Sequence, residues 1–134
     1  MGTAKYPDEN DFSEFTTKNG GSSNAYTECE ATVFAFDINP KFLREALDRF
    51  AQFFVAPLMK QGSMEREAEA VDSEFKQALQ NDSVRVGQMH CSLAKKGHVY
   101  NSFGWGNKKS LFEVPQKSGL DLNAELHAFH DKYC

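Results

Sequence analysis

The segment PKFLREALDRFAQFFVAPL, residues 40–58, constrains this chain more than any other. Phe42, Leu43, Ala46, Leu47, Phe50, Phe53 and Phe54 recur at intervals of three and four. On a helix they form one broad apolar stripe, which other elements must cover. Pro40 suits the first turn, where its missing N–H has no helical partner to lose. Pro57 marks the end, because the residue before a proline is pushed out of the helical region.

The other segments are read by the same rhythm. Phe12 and Phe15, three apart, predict a short helix that stops on Gly20 and Gly21. NAYTECEATVFAFDI, residues 24–38, reads as one strand, with Phe34, Phe36 and Ile38 on one face. In SMEREAEAVDSEFKQALQND, Met64, Ala68, Val71, Phe75 and Leu79 predict a second long helix, capped by Ser63. A third helix is expected from about Asp82 to Ala94. Residues 95–111 read as an aromatic loop with three glycines. The closing stretch, LDLNAELHAFHDKYC, is helical, with Leu122, Leu126 and Phe129 on one face. One strand cannot be a sheet by itself. Either further strands lie in segments that read as loop, or the chain is a piece of something larger.

The 134 residues suit one domain, and 40% apolar with 13% aromatic residues can fill a core. A net charge of −4 argues against a phosphate-binding face, so no nucleic-acid partner is expected. No apolar run is long enough to span a membrane, and MGTAKYPDEN lacks the apolar stretch of a secretory signal. Cys29, Cys91 and Cys134 have no metal-type spacing and read as reduced thiols in a cytoplasmic setting.

The helix over residues 64–79 is dense in carboxylates. Glu67 and Glu74 are seven apart, two turns, and so share a face. Ala68 and Phe75 follow them directly, so that face borders the buried one. A carboxylate there calls for a partner such as a cation. Glu65, Glu69 and Asp72 point elsewhere, within helical reach of Arg66 or Lys76. A solvated helix whose glutamates only keep it soluble is the bland alternative. One or two carboxylates do not hold zinc, and none of His90, His98, His127 and His130 begins an H-x-x-E-H pattern. His127 and His130, three apart, are a weak metal signal alone.

MGTAKYPDENDFSEF, GGSSNAYTECEATVFAFDI, ALDRFAQFFVAPLM, EREAEAVDSEF and GWGNKKSL, in this order, resemble the insulinase (pitrilysin-type) zinc metallopeptidases. The resemblance covers nearly the whole chain and is nearest the nardilysin-like branch in its plant-type wording. It implies an α+β fold: part of an insulinase-type domain, an antiparallel sheet with helices packed on one face. It also implies a zinc metalloendopeptidase acting on peptides. In this family an H-x-x-E-H segment supplies two histidine ligands and a glutamate base, and a helix downstream supplies a third ligand. Glu74, at the end of AVDSE, matches that ligand, and Glu67 matches a supporting glutamate. In such a site the metal would acidify a bound water, and the glutamate base would take its proton for attack on a peptide carbonyl. Asn24, Ala25 and Tyr26 match an edge strand that pairs with the substrate backbone.

The resemblance places H-x-x-E-H just upstream of Met1, so no catalytic base is expected within residues 1–134, which read as an incomplete N-terminal peptidase domain lacking downstream strands as well. The rest of the domain, or a full-length relative, becomes an expected partner. Val99 and Ala68 depart mildly from the family, which has Pro and Val there. Three readings follow: a fragment of the peptidase, inactive alone; a noncatalytic module that binds peptides or pairs with a relative; and an unfolded remnant. With strands missing, the stripe over residues 42–54 would stay partly uncovered, and such a patch invites association.

Overall fold

The computed structural model describes residues 1–28 and 30–134. Contacts divide the chain into two compact units, Met1–Met59 and Lys60–Cys134.

In the first unit, helix α1 (Asp11–Lys18) leads into strands β1 (Ser22–Thr27) and β2 (Thr32–Asp37). A single 3-10 turn, Pro40–Phe42, precedes helix α2 (Leu43–Val55). The expected single strand is therefore a hairpin. The strands are antiparallel, with Ala25 opposite Phe34 and Ser22 opposite Asp37. Phe34 and Phe36, two apart on β2, present one face to α2. Phe36 packs on Phe50 at 4.9 Å between ring centres, and Phe34 meets Phe54 edge-on at 5.5 Å. Phe12 of α1 is the hub: its ring touches Phe36, Phe50 and Phe53 and is only 8% exposed. This is an antiparallel sheet with helices on one face, as the resemblance implies. The stripe on α2 is only partly covered: Ala46 is fully buried, while Leu43 and Leu47 are exposed.

The reversal out of α1 uses Gly20 at φ +73°, a left-handed conformation that a side chain resists. The Gly21 N–H returns to the Thr16 carbonyl at 2.9 Å and satisfies one of the last helical acceptors.

Residues 1–10 are clasped to α2. Thr3 bridges Pro57, and the Ala4 N–H donates to Ala56 O at 2.9 Å. Asp48 accepts from Lys5 Nζ at 2.6 Å and from the Tyr6 hydroxyl at 2.5 Å. Arg49 donates to Asp11 at 2.9 Å and stacks between Tyr6 and Phe15, 4.6 and 3.9 Å from their ring centres. The bond from Lys5, then that from Tyr6, holds the Asp48 carboxyl below its usual range. The bond to Asp48 in turn raises both Tyr6 and Lys5. Asp48 thus supports the fold above its unfolded pKa and loses that role as pH falls below about 4. Tyr6 and Lys5 support it below their unfolded values and lose that role as pH rises above about 10. Protection of the Ala4 amide, taken relative to its intrinsic exchange rate at each pH, is expected to hold between those limits and to fall beyond both. In Asp48→Asn the acid-side change is expected to vanish.

In the second unit, helix α3 (Gln61–Ala78) is followed by α4 (Asp82–Leu93), a π-type turn at Lys109–Glu113, the short α5 (Val114–Lys117) and α6 (Leu122–Tyr133). α3 starts two residues before Ser63, after Lys60 in an extended conformation, so Ser63 lies inside the first turn and is not the cap. Asn81 caps α4, its side chain accepting from the amides of Ser83 and Val84, and Asp121 caps α6 in the same way. The helical run 109–117 intrudes on the segment read as loop, and Pro115 falls in the first turn of α5. No helix among the described residues is long and apolar enough to cross a membrane.

Candidate functional site

The carboxylates of α3 divide into two groups. Glu65 accepts from Gln61 at 3.3 Å, and Glu69 pairs with Lys108 at 2.5 Å. Asp72 is buried. Its Oδ2 takes Lys76 Nζ at 2.6 Å, and its Oδ1 takes the backbone N–H of Lys108 at 2.8 Å. That amide bond first, then the Lys76 ammonium, lowers the Asp72 pKa.

Glu67 and Glu74 form the second group. Among the described residues neither carboxylate takes up a hydrogen bond or ion pair. Both side chains are exposed, so the screening expected beside Ala68 and Phe75 does not occur in this chain. Glu67 borders an apolar cleft of about 450 Å³. Its floor includes Met64, Ala68 and Val71 of α3 and Leu126 and Phe129 of α6, with Glu125 as the second acidic residue on the rim. Seven residues of helix bring Glu67 and Glu74 back to one face, while the committed carboxylates point away.

A catalytic zinc takes three protein ligands and leaves one position open. Glu74 suits one of those ligands: a free carboxylate on an 18-residue helix, anchored beside packed Val71 and Phe75. It cannot supply the set. Among the described residues no group of three His, Cys, Asp or Glu side chains could hold a metal ion. His127 and His130 do not improve this. Both are half-buried, and His130 Nδ1 lies 3.4 Å from Asp131. Cys91 and Cys134 are free thiols, and Cys29 lies outside the described residues.

In the first unit Asn24, Ala25 and Tyr26 lie on β1, opposite Ala35, Phe34 and Val33. All three are exposed, and among the described residues β1 pairs only with β2. Its outer edge therefore offers main-chain donors and acceptors to another strand.

The sequence reading missed Asp72 as a buried anchor. A signal was present: Asp72 stands four after Ala68 and three before Phe75, on the apolar side of α3.

Insulinase (Peptidase family M16) is the family whose pattern residues 1–103 match, and the chain belongs to it. The members of that family are metallopeptidases. The chain is 52% identical over 133 residues to a nardilysin-like protein of Arabidopsis thaliana, covering 99% of this chain and 13% of that protein. It is 49% identical to human nardilysin over the same length, covering 12% of it. The crystal structure of pitrilysin superposes with a TM-score of 0.89 at 32% identity, over 99% of this chain and 14% of that one. The chain thus spans a small part of the relatives it matches.

Proposed function

We propose that this chain is part of the N-terminal peptidase domain of a zinc metalloendopeptidase, in which Glu74 is a zinc ligand and β1 pairs with an extended peptide substrate. The observation that carries the reading is that Glu67 and Glu74 alone among the α3 carboxylates have no partner among the described residues. Glu67 acts beside the ligand, orienting a neighbouring group. The general base and two further ligands come from a segment outside these residues. When bound, zinc supplies an acidified water and polarises the scissile carbonyl. Asn24, Ala25 and Tyr26 hold the peptide backbone, leaving its side chains free to vary.

The test joins this chain to an upstream segment carrying H-x-x-E-H and measures zinc affinity by competition with a chelator. Glu74→Gln is expected to weaken binding by at least about 100-fold, more than loss of a supporting residue does. Glu67→Gln is expected to weaken it by about 10-fold. Unchanged affinity in Glu74→Gln overturns the ligand reading. The 134 residues alone are expected to show no peptide hydrolysis with added zinc. Turnover that disappears in Glu74→Gln would contradict that.

The open edge of β1 favours a second reading, a noncatalytic module that binds extended peptides or a full-length relative. Ala25→Pro removes one main-chain donor and is expected to abolish peptide binding measured by titration. Equal binding in the variant counts against any role for this edge.

A further inference from the structure

Asp72 is the only charged side chain buried among the described residues. It lies two residues from Glu74 and is spent on the backbone of a distant segment. The Lys108 amide that it accepts is 36 residues away in sequence. A carboxylate taken out of water keeps its charge only where hydrogen bonds replace the solvent, and here both oxygens are engaged.

The segment that reaches Asp72 is tied along its length. At its start the Gln88 side chain donates to Ser102 O at 3.1 Å and accepts from the Gly104 N–H at 3.3 Å. In the middle, Phe103 stands edge-on to Phe75 of α3 at 5.4 Å. Next, Gly106 passes so close to α3 that a Cβ there would lie 2.8 Å from Val71 Cγ1 and 3.1 Å from Leu111 Cδ1. Finally, Lys108 gives its N–H to Asp72 and its ammonium to Glu69. The points of attachment on α3 fall at Val71, Asp72 and Phe75, one side of the helix. Glu67 and Glu74 leave from a flank roughly 100° away.

We infer that Asp72 is a positioning residue: by holding the Lys108 amide it fixes the roll of α3 about its own axis, and so the direction in which Glu74 projects. The consequence for metal binding rests on the reading of Glu74 as a ligand. A roll of about 15° would carry a carboxylate about 6 Å from the axis through about 1.5 Å, three times the tolerance of a well-held site. The Gly106 contact supplies a second stop against the same rotation, made by shape instead of charge.

The test has two stages. In this chain, residual dipolar couplings report the orientation of α3 peptide planes relative to α4, and amide exchange reports the Lys108 bond. Asp72→Ala is expected to speed Lys108 exchange by at least about 10-fold and to shift the α3 couplings. Asp72→Asn keeps an acceptor oxygen and is expected to recover both. Gly106→Ala is expected to shift the couplings alone, and adding Val71→Ala to it to restore them. This pair reads the roll even if Asp72→Ala does not fold. In the longer polypeptide that carries the upstream ligands, Asp72→Ala is expected to weaken zinc about 10-fold and Asp72→Asn to recover it. Unshifted couplings in both Asp72→Ala and Gly106→Ala overturn the inference. So do shifted couplings with zinc affinity unchanged, where Glu74→Gln still weakens zinc. Full zinc affinity in Glu74→Gln overturns the ligand reading instead, whatever the couplings show.

Discussion

Phe12→Ala is expected to destabilise the first unit by about 3–5 kcal/mol, the usual cost of emptying a buried phenylalanine site. The ring it removes is the shared neighbour of Phe36, Phe50 and Phe53, with centres 5.3–5.8 Å away. Those three come from β2 and α2, so one truncation loosens α1, the hairpin and the helix together. Small domains have only about 5–15 kcal/mol in hand. A unit with so few fully buried side chains is expected to lose its cooperative melt, followed by circular dichroism, at or below room temperature. Phe15→Ala is the control. Phe15 meets Phe42 at 6.3 Å and the Arg49 guanidinium, but none of the central rings. Its cost is expected to be about 1 kcal/mol.

Gly21→Ala is expected to be nearly as harmful, for a different reason. A Cβ at this position would fall 2.0 Å from the carbonyl oxygen of Asp37, the last residue of β2. The obstacle is backbone, so relief requires the hairpin to move away from the end of α1. Forcing atoms into packed space costs about 1–3 kcal/mol, and more where nothing can yield. The Ser22–Asp37 pair, joined by a side-chain hydrogen bond at 2.5 Å, is expected to open first. Exchange of the Asp37 and Ser22 amides measures that opening. Gly20→Ala is expected to cost only about 1–2 kcal/mol, the price of a left-handed conformation with no collision.

How much of this could be read in the sequence depended on whether the causes were local. α2, α4 and α6 were legible because their apolar residues repeat at helical spacing and their ends carry Pro, Asn or Asp. The hairpin was not. Residues 28–31 read ECEA, with no Gly, Asn or Pro to announce a turn, so residues 24–38 looked like one long strand. The turn at Lys109–Glu113 was hidden for a similar reason, since its wide helical bonding has no side-chain signature. At the site, the spacing of Glu67 and Glu74 placed them on one face. Which carboxylates were already spoken for was not legible, because the Lys108 that occupies Glu69 and Asp72 comes from 39 and 36 positions away.

The cleft beside Glu67 also affects how this protein should be handled. Its floor is almost entirely hydrocarbon, and Phe129 and Leu126 stand open to water at 58% and 39% exposure. Fluorescent probes such as ANS brighten wherever they find such a surface, and their signal is commonly taken as a sign of a molten state. Here the intact chain would light up before anything had come apart.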